Sequence, residues 1–223
     1  MSELRAVLLG NSWAERSSVG NFMLGTTKFN TEEEPGCCQT VRGQMKEKHI
    51  ILVNTPDLLH PAISVDKLRE FNRTCVALCA PGPHVFLLVL QPEHFTDQQT
   101  KRLQSILGNF SGKAFHHSLV LIPTPRNESS GFVQRQMQYP QLGDVVKRCR
   151  DTFLWQRNLE NQRELLTAIG KIVKQNNGNH VSCKVFKTMT SVERCGHQSL
   201  THEQSVTINK DPIKGKTLET DEL

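Results

Sequence analysis

No stretch of this chain is long and apolar enough to cross a membrane. The longest apolar run, Val85–Leu90, is far short of the ~20 residues that a spanning helix needs. The amino terminus, MSELRAVLLG, lacks a basic segment followed by a long apolar one, so a secretory leader is not expected. Lipidation motifs are absent too: residue 2 is serine, and the chain ends in DEL without a CaaX box. The net charge is a mild +5, and the basic residues form no dense run. They read as a solvated surface, which excludes nucleic acid as the expected partner. There is no pair of CxxC knuckles, and the seven cysteines are an odd number. Neither a structural zinc nor a disulfide framework is indicated. Cys75 and Cys79 are four apart, a spacing that fits small core residues on one helix face better than a metal site. A reduced, cytoplasmic protein is expected.

What is present is an alternation. Apolar strands are expected at Leu4–Leu9, Lys48–Val53, His84–Leu90 and Ser118–Ile122, with a short fifth at Thr152–Trp155. Between them lie helical patterns: Ser17–Leu24 before Gly25, Val65–Leu78, a helix capped by Thr96, and Leu159–Val173 before Gly178. Lys28–Gly43 is polar, with Pro35, Gly36 and the acidic run Glu32–Glu34, and reads as a loop. Strands about thirty residues apart with helices between predict an α/β fold, a mostly parallel sheet covered on both faces. At 223 residues the chain fits one such domain over about 1–180. From 181 to 223 it turns polar and reads as a tail or an interdomain linker.

The segment after the first strand is a phosphate-loop pattern with two residues missing. That pattern is a strand, Gly, four residues, Gly-Lys-Ser/Thr, then a helix. Here Gly10–Ser18 reads GNSWAERSS. Gly10, Ser17 and Ser18 are in place, but Glu15 stands at the second glycine and Arg16 at the lysine. The second strand then ends in Asn54-Thr55-Pro56-Asp57, where P-loop GTPases carry Asp-x-x-Gly. That aspartate supports Mg²⁺ through water, and the glycine amide meets the γ-phosphate.

Three further segments carry a resemblance. Cys75–Gln99, CVALCAPGPHVFLLVLQPEHFTDQQ, holds a Pro-Gly-Pro-His turn, a buried strand and a Phe-Thr before the next helix. Ser17–Gly25 reads SSVGNFMLG, and Leu165–Gly178 reads LLTAIGKIVKQNNG. Over about residues 4–180 the chain resembles the GIMAP family, the immunity-associated GTPases with an AIG-type G domain. The resemblance implies a P-loop NTPase fold of Ras-like type, GTP or GDP as ligand with Mg²⁺, and homo- or hetero-oligomers through the G domain. Carried onto this sequence, the nucleotide-binding positions are Gly10, Asn11, Ser12, Trp13, Ala14, Glu15, Arg16, Ser17 and Ser18. Ser17 and Asn54 are the metal positions. Asn127, within TPRNE, falls where a carboxylate would read guanine, with Glu128 beside it as a substitute. Trp155 is placed to stack on a purine, or is simply a core or surface aromatic. Thr40 is the candidate switch threonine. His84 reads as a structural residue of the turn rather than a catalytic one, and no catalytic residue is assigned.

The departures from the pattern weaken the chemistry. A glycine at position 15 would let backbone amides approach phosphates, often at an angle costly to other residues. Glu15 instead adds a carboxylate. At ~4 Å from a phosphate charge it costs roughly 4 kcal/mol per unit charge at an effective dielectric near 20. Arg16 keeps a positive charge in a different shape, and an Arg16–Glu15 pair would withdraw that charge from a ligand. Asn54 drops the charge near the metal, and Asp57 adds one near the γ-phosphate. The expected function is GTP binding with weakened or absent hydrolysis; the alternative is a nucleotide-free pseudo-GTPase acting as an interaction or assembly module.

Overall fold

The computed structural model describes residues 3–45, 48–123, 139–156 and 162–182. Six strands form one sheet: β1 (Glu3–Gly10), β2 (Gln39–Met45), β3 (Lys48–Asn54), β4 (Val85–Val89), β5 (Ser118–Ile122) and β6 (Phe153–Trp155). Their order across the sheet is β2-β3-β1-β4-β5-β6. β2 runs antiparallel to β3, and every other pairing is parallel. Five helices complete the described fold: α1 (Trp13–Leu24), α2 (Val65–Leu78), α3 (Asp97–Phe110), α4 (Pro140–Arg148) and α5 (Gln162–Gln175).

The continuous apolar strands follow from burial on both faces. Side chains alternate along a strand, so β1 sends Val7 and Leu9 into one core and Leu4, Ala6 and Leu8 into the other. The first core is closed by α2, α3 and α4, through residues such as Phe71, Leu103 and Val145. The second is closed by α1 and α5, through Val19, Met23, Leu165 and Ile169. α3 begins as its sequence predicts, with the Thr96 hydroxyl accepting from the Gln99 amide and the Gln99 side chain accepting from the Thr96 amide.

The structure differs from the sequence expectations in three elements. The loop expected over Lys28–Gly43 ends early, because Gln39–Met45 is β2. As an edge strand it is half exposed, so it needs no apolar run, and its polar sequence hides it. α1 starts at Trp13, four residues before the expected Ser17. α4 stands where no element was expected, with Pro140 in its first turn and Leu142, Val145 and Val146 buried. The expected start of the last helix at Leu159 lies outside the described residues.

The Pro-Gly-Pro-His turn has a mechanical role at the amino edge of the sheet. Arg5 of β1 donates its amide to His84 Nδ1 (3.0 Å) and its Nε to the Gly82 carbonyl (2.7 Å). The His84 amide returns a bond to the Arg5 carbonyl. Gly82 sits at φ 151°, and a Cβ there would fall 2.1 Å from the Val181 carbonyl oxygen. The Val181 amide donates to the Pro83 carbonyl, and Val181 is buried. Beyond Ser182 the expected tail lies outside the described residues.

Candidate functional site

Strand order reverses beside β1, since β3 lies on one side of it and β4 on the other. In open α/β sheets that reversal leaves a crevice at the carboxyl ends of the strands. Gly10–Ser12 lies there. Gly10 is fixed by close approach: a Cβ would fall 1.9 Å from the Val89 carbonyl oxygen of β4. Asn11 spans the crevice to the end of β4. Its Nδ2 donates to the Gln91 carbonyl (3.2 Å) and its Oδ1 accepts from the Gln91 amide (2.9 Å).

From Ser12 onward the phosphate-loop pattern becomes helix. Ser12 is the N-cap of α1, its hydroxyl accepting from the Glu15 amide at 3.4 Å. The Arg16 amide donates to the Ser12 carbonyl. Two amides that a phosphate loop turns toward its ligand are therefore spent within the helix. The cause is in the sequence. Ser12-x-x-Glu15 is the spacing of a capping box, and Ala14, Glu15 and Arg16 are good helix formers. A carboxylate in the first turn also suits the helix dipole. Ala14 is exposed and Glu15 and Ser18 are partly so. Trp13 is buried, with Nε1 donating to the Asn30 carbonyl at 2.8 Å.

Arg16 has no exposed surface. Its Nη1 donates to the Gly10 carbonyl at 2.5 Å, and its Nη2 reaches Glu34 Oε1 at 3.3 Å. The guanidinium carbon lies 5.7 Å from the Trp13 ring centroid. Nε has no hydrogen-bond partner among the described residues. Burial pushes the guanidinium down to about 10, while the Glu34 and Asp57 carboxylates pull it back up; it remains a cation at neutral pH. The carboxylate partner is thus Glu34, not the neighbouring Glu15 that the sequence offered. Glu15 lies on the helix that carries Arg16, whereas Glu34 comes across from the loop before β2. The same Glu34 Oε1 also accepts from the Asp57 amide.

The two expected metal positions touch each other. Asn54 Nδ2 donates to Ser17 Oγ at 3.1 Å, and both residues are fully buried. Asn54 Oδ1 and Thr40 Oγ1 are buried without hydrogen-bond partners among the described residues. Thr40 lies in β2, paired with Val53. Trp155 ends β6, partly buried against the α2–α4 core, its ring 6.4 Å from Phe153. Asn127 and Glu128 lie outside the described residues. A magnesium nucleotide does not fit the described residues as they stand. The lysine position is folded onto Gly10 and Glu34, the serine position is bonded to Asn54, and the Glu15 and Arg16 amides are bonded to Ser12. Glu34 is the residue that sequence reasoning missed. It stood out only as part of an acidic run.

The strand order and the strand-to-helix turn after β1 define a P-loop GTPase-type α/β domain. The chain belongs to the AIG1 family, whose profile matches residues 4–201, and the GIMAP resemblance is borne out. It is 28% identical over 221 residues to human "GTPase IMAP family member 8", covering 91% of this chain and 32% of that protein. It is 24% identical over 199 residues to "Immune-associated nucleotide-binding protein 9" of Arabidopsis thaliana, covering 81% of this chain and 58% of that protein. The chain thus spans about a third of the human relative and just over half of the plant one. Among solved structures it is similar to Toc33 from Arabidopsis thaliana in a dimerization-deficient mutant. The TM-score there is 0.60 at 14% identity, over 78% of this chain and 86% of that one. Toc33 in complex with Mg²⁺ and GMPPNP gives a TM-score of 0.57 at 14% identity, with the same coverage. At these identities the likeness to Toc33 concerns the fold.

Proposed function

We propose that this chain is a GIMAP-type G domain that does not hydrolyse GTP and works as a nucleotide-free interaction or assembly module. The observation that carries this reading is the buried Arg16, whose guanidinium is committed to the Gly10 carbonyl and Glu34. A cation held in this way is withdrawn from any phosphate, and freeing it means leaving a fully buried guanidinium without its carboxylate, a costly step. The neutral Asn54 on Ser17 supports the same reading, because Mg²⁺ favours oxygen ligands that carry charge.

A second reading has its own support. Gly10, the Ser17 hydroxyl and a cationic Arg16 are all retained, so a switch that binds GTP or GDP without turnover is the alternative. Thermal melts separate the two. A ligand that binds only the native state at 100 times its Kd stabilises by about 2.7 kcal/mol. The module reading expects no shift of the melting temperature with Mg²⁺-GTP or Mg²⁺-GDP at millimolar concentration. A clear rise would favour the switch. The setting we infer is the cytoplasm, supported by five free cysteines among the described residues. The polar stretch from 183 to 223 we read as a tail or linker, its expected start at 181 corrected by the burial of Val181 in the domain, and partners as further copies or relatives of this domain.

A further inference from the structure

One helix and two loops meet at one carboxylate oxygen. Glu34 Oε1 takes a charge-assisted bond from Arg16 Nη2, at the lysine position of the phosphate-loop pattern. The same oxygen accepts from the Asp57 amide, at the position where GTPases present a glycine amide to the γ-phosphate. Glu34 itself belongs to the segment between α1 and β2, and Asp57 to the segment after β3. A cation from α1 and an amide from the segment after β3 thus converge on an anion carried by the segment before β2. In a working GTPase the terminal phosphate holds the corresponding loops in the same way, and they are released when it is lost.

We propose that Arg16 and the Asp57 amide form a carboxylate-binding site whose ligand is the chain's own Glu34, and that this built-in anion ties the 25–38 and 55–63 loops together. The inference rests on the reading of residues 10–18 as a closed phosphate loop. Arg16 is fully buried, and its unpartnered Nε lies within the same cluster. The Asp57 carboxylate is turned aside, with Oδ1 accepting from the Leu59 amide at 3.0 Å, which leaves the Asp57 backbone amide to Glu34. Glu34 keeps 35% of its side chain exposed. The ligand therefore enters from solvent and can be replaced by a small carboxylate.

The test is hydrogen exchange of the full chain as wild type, Glu34→Ala and Glu34→Gln, without nucleotide. Removing the carboxylate should speed exchange in both loops, around Asp57–Leu59 as well as in 29–38, by at least about tenfold. Sodium acetate at about 100 mM should restore protection in Glu34→Ala, whereas sodium chloride at equal ionic strength should not, since only acetate refills the site. Glu34→Gln, which keeps an acceptor without the charge, should fall between. A variant that folds only with acetate meets the expectation. Faster exchange confined to 29–38, no effect on either loop, or no rescue of exchange or of folding by acetate would overturn it. The proposed lack of nucleotide binding is judged separately, by wild-type melts, so the two can fail independently.

Discussion

Asn54 Nδ2 donates to Ser17 Oγ across 3.1 Å, joining the end of β3 to the second turn of α1 in a fully buried contact. The pair is neutral, and it replaces the charge that a metal would need. Asn54→Asp tests what this costs. The new carboxylate would be buried with the Ser17 hydroxyl as its donor, and the substitution should lower stability at neutral pH by on the order of 2 kcal/mol. Urea unfolding with and without Mg²⁺ reads the result. Recovery by MgCl₂ and not by NaCl would mean that the metal position is intact, contrary to the closed-site reading.

The strands were legible because the sheet is covered on both faces, so LRAVLL, KHIILV and HVFLLVL had to be apolar throughout. β2 was not, since an antiparallel edge strand can be QTVRGQM and still pair along its whole length. α4 left a readable signal in Leu142, Val145 and Val146 after Pro140. The phosphate loop is instructive in another way. Its missing glycine reads as damage to a loop, whereas Ser12-x-x-Glu15 makes it a helix start. Glu34 was beyond reach, because its partners Arg16 and Asp57 lie 18 and 23 residues away. No local pattern marks such a contact.

Glycine replacements should separate close approach from simple flexibility. At Gly10 a Cβ meets the backbone of Val89 at 1.9 Å, and backbone cannot swing aside. Gly10→Ala should destabilise by about 3 kcal/mol or more, or prevent folding. Gly170 lies inside α5 with nothing among the described residues within 4 Å of its Cβ position. Gly170→Ala should stabilise by about 0.5–1 kcal/mol through helix propensity alone. Chemical denaturation of both variants measures the contrast, and similar effects at the two sites would contradict it.

Acid should weaken the fold through His84. Burial, with the Arg5 guanidinium next in weight, pushes this imidazole down to about 4 from 6.5. Its Nδ1 accepts from the Arg5 amide, so an added proton would break that bond, and the imidazolium would lie against the Arg5 guanidinium, whose Nη2 stands 3.3 Å from Nε2. His117 is lowered as well, by burial. The unfolded chain then binds protons before the folded one does. Stability contributed by the neutral ring is full above about pH 6.5 and is lost as pH falls toward 4, by about 2 kcal/mol for His84 between pH 7 and pH 5. Urea midpoints across this range should fall in the wild type. The fall should be smaller in His84→Gln, which accepts from the Arg5 amide but does not titrate. An equal fall in both would place the acid sensitivity elsewhere.

Thiol chemistry offers a readout of the loop that carries Glu34. Cys38 follows that loop, half-buried, its Sγ 3.1 Å from Cys75 Sγ in α2. The hydrogen bond from Cys75 lowers the Cys38 thiol, while Cys75 is raised by the same contact and by burial. Burial pushes Cys79 and Cys149 up to about 12. The thiolate is the reactive form, so native alkylation with iodoacetamide near pH 7.5 should modify Cys37 and Cys38 and spare Cys75, Cys79 and Cys149. Peptide mass spectrometry assigns the sites. Cys38 reacts through its partial exposure, and Cys75 stays shielded as long as the loop remains docked on α2. Glu34→Ala, by loosening that loop, should then raise labelling of Cys75 severalfold, and acetate should suppress it again. Labelling of Cys75 in the wild type at the rate of Cys38 would mean that the loop is already open.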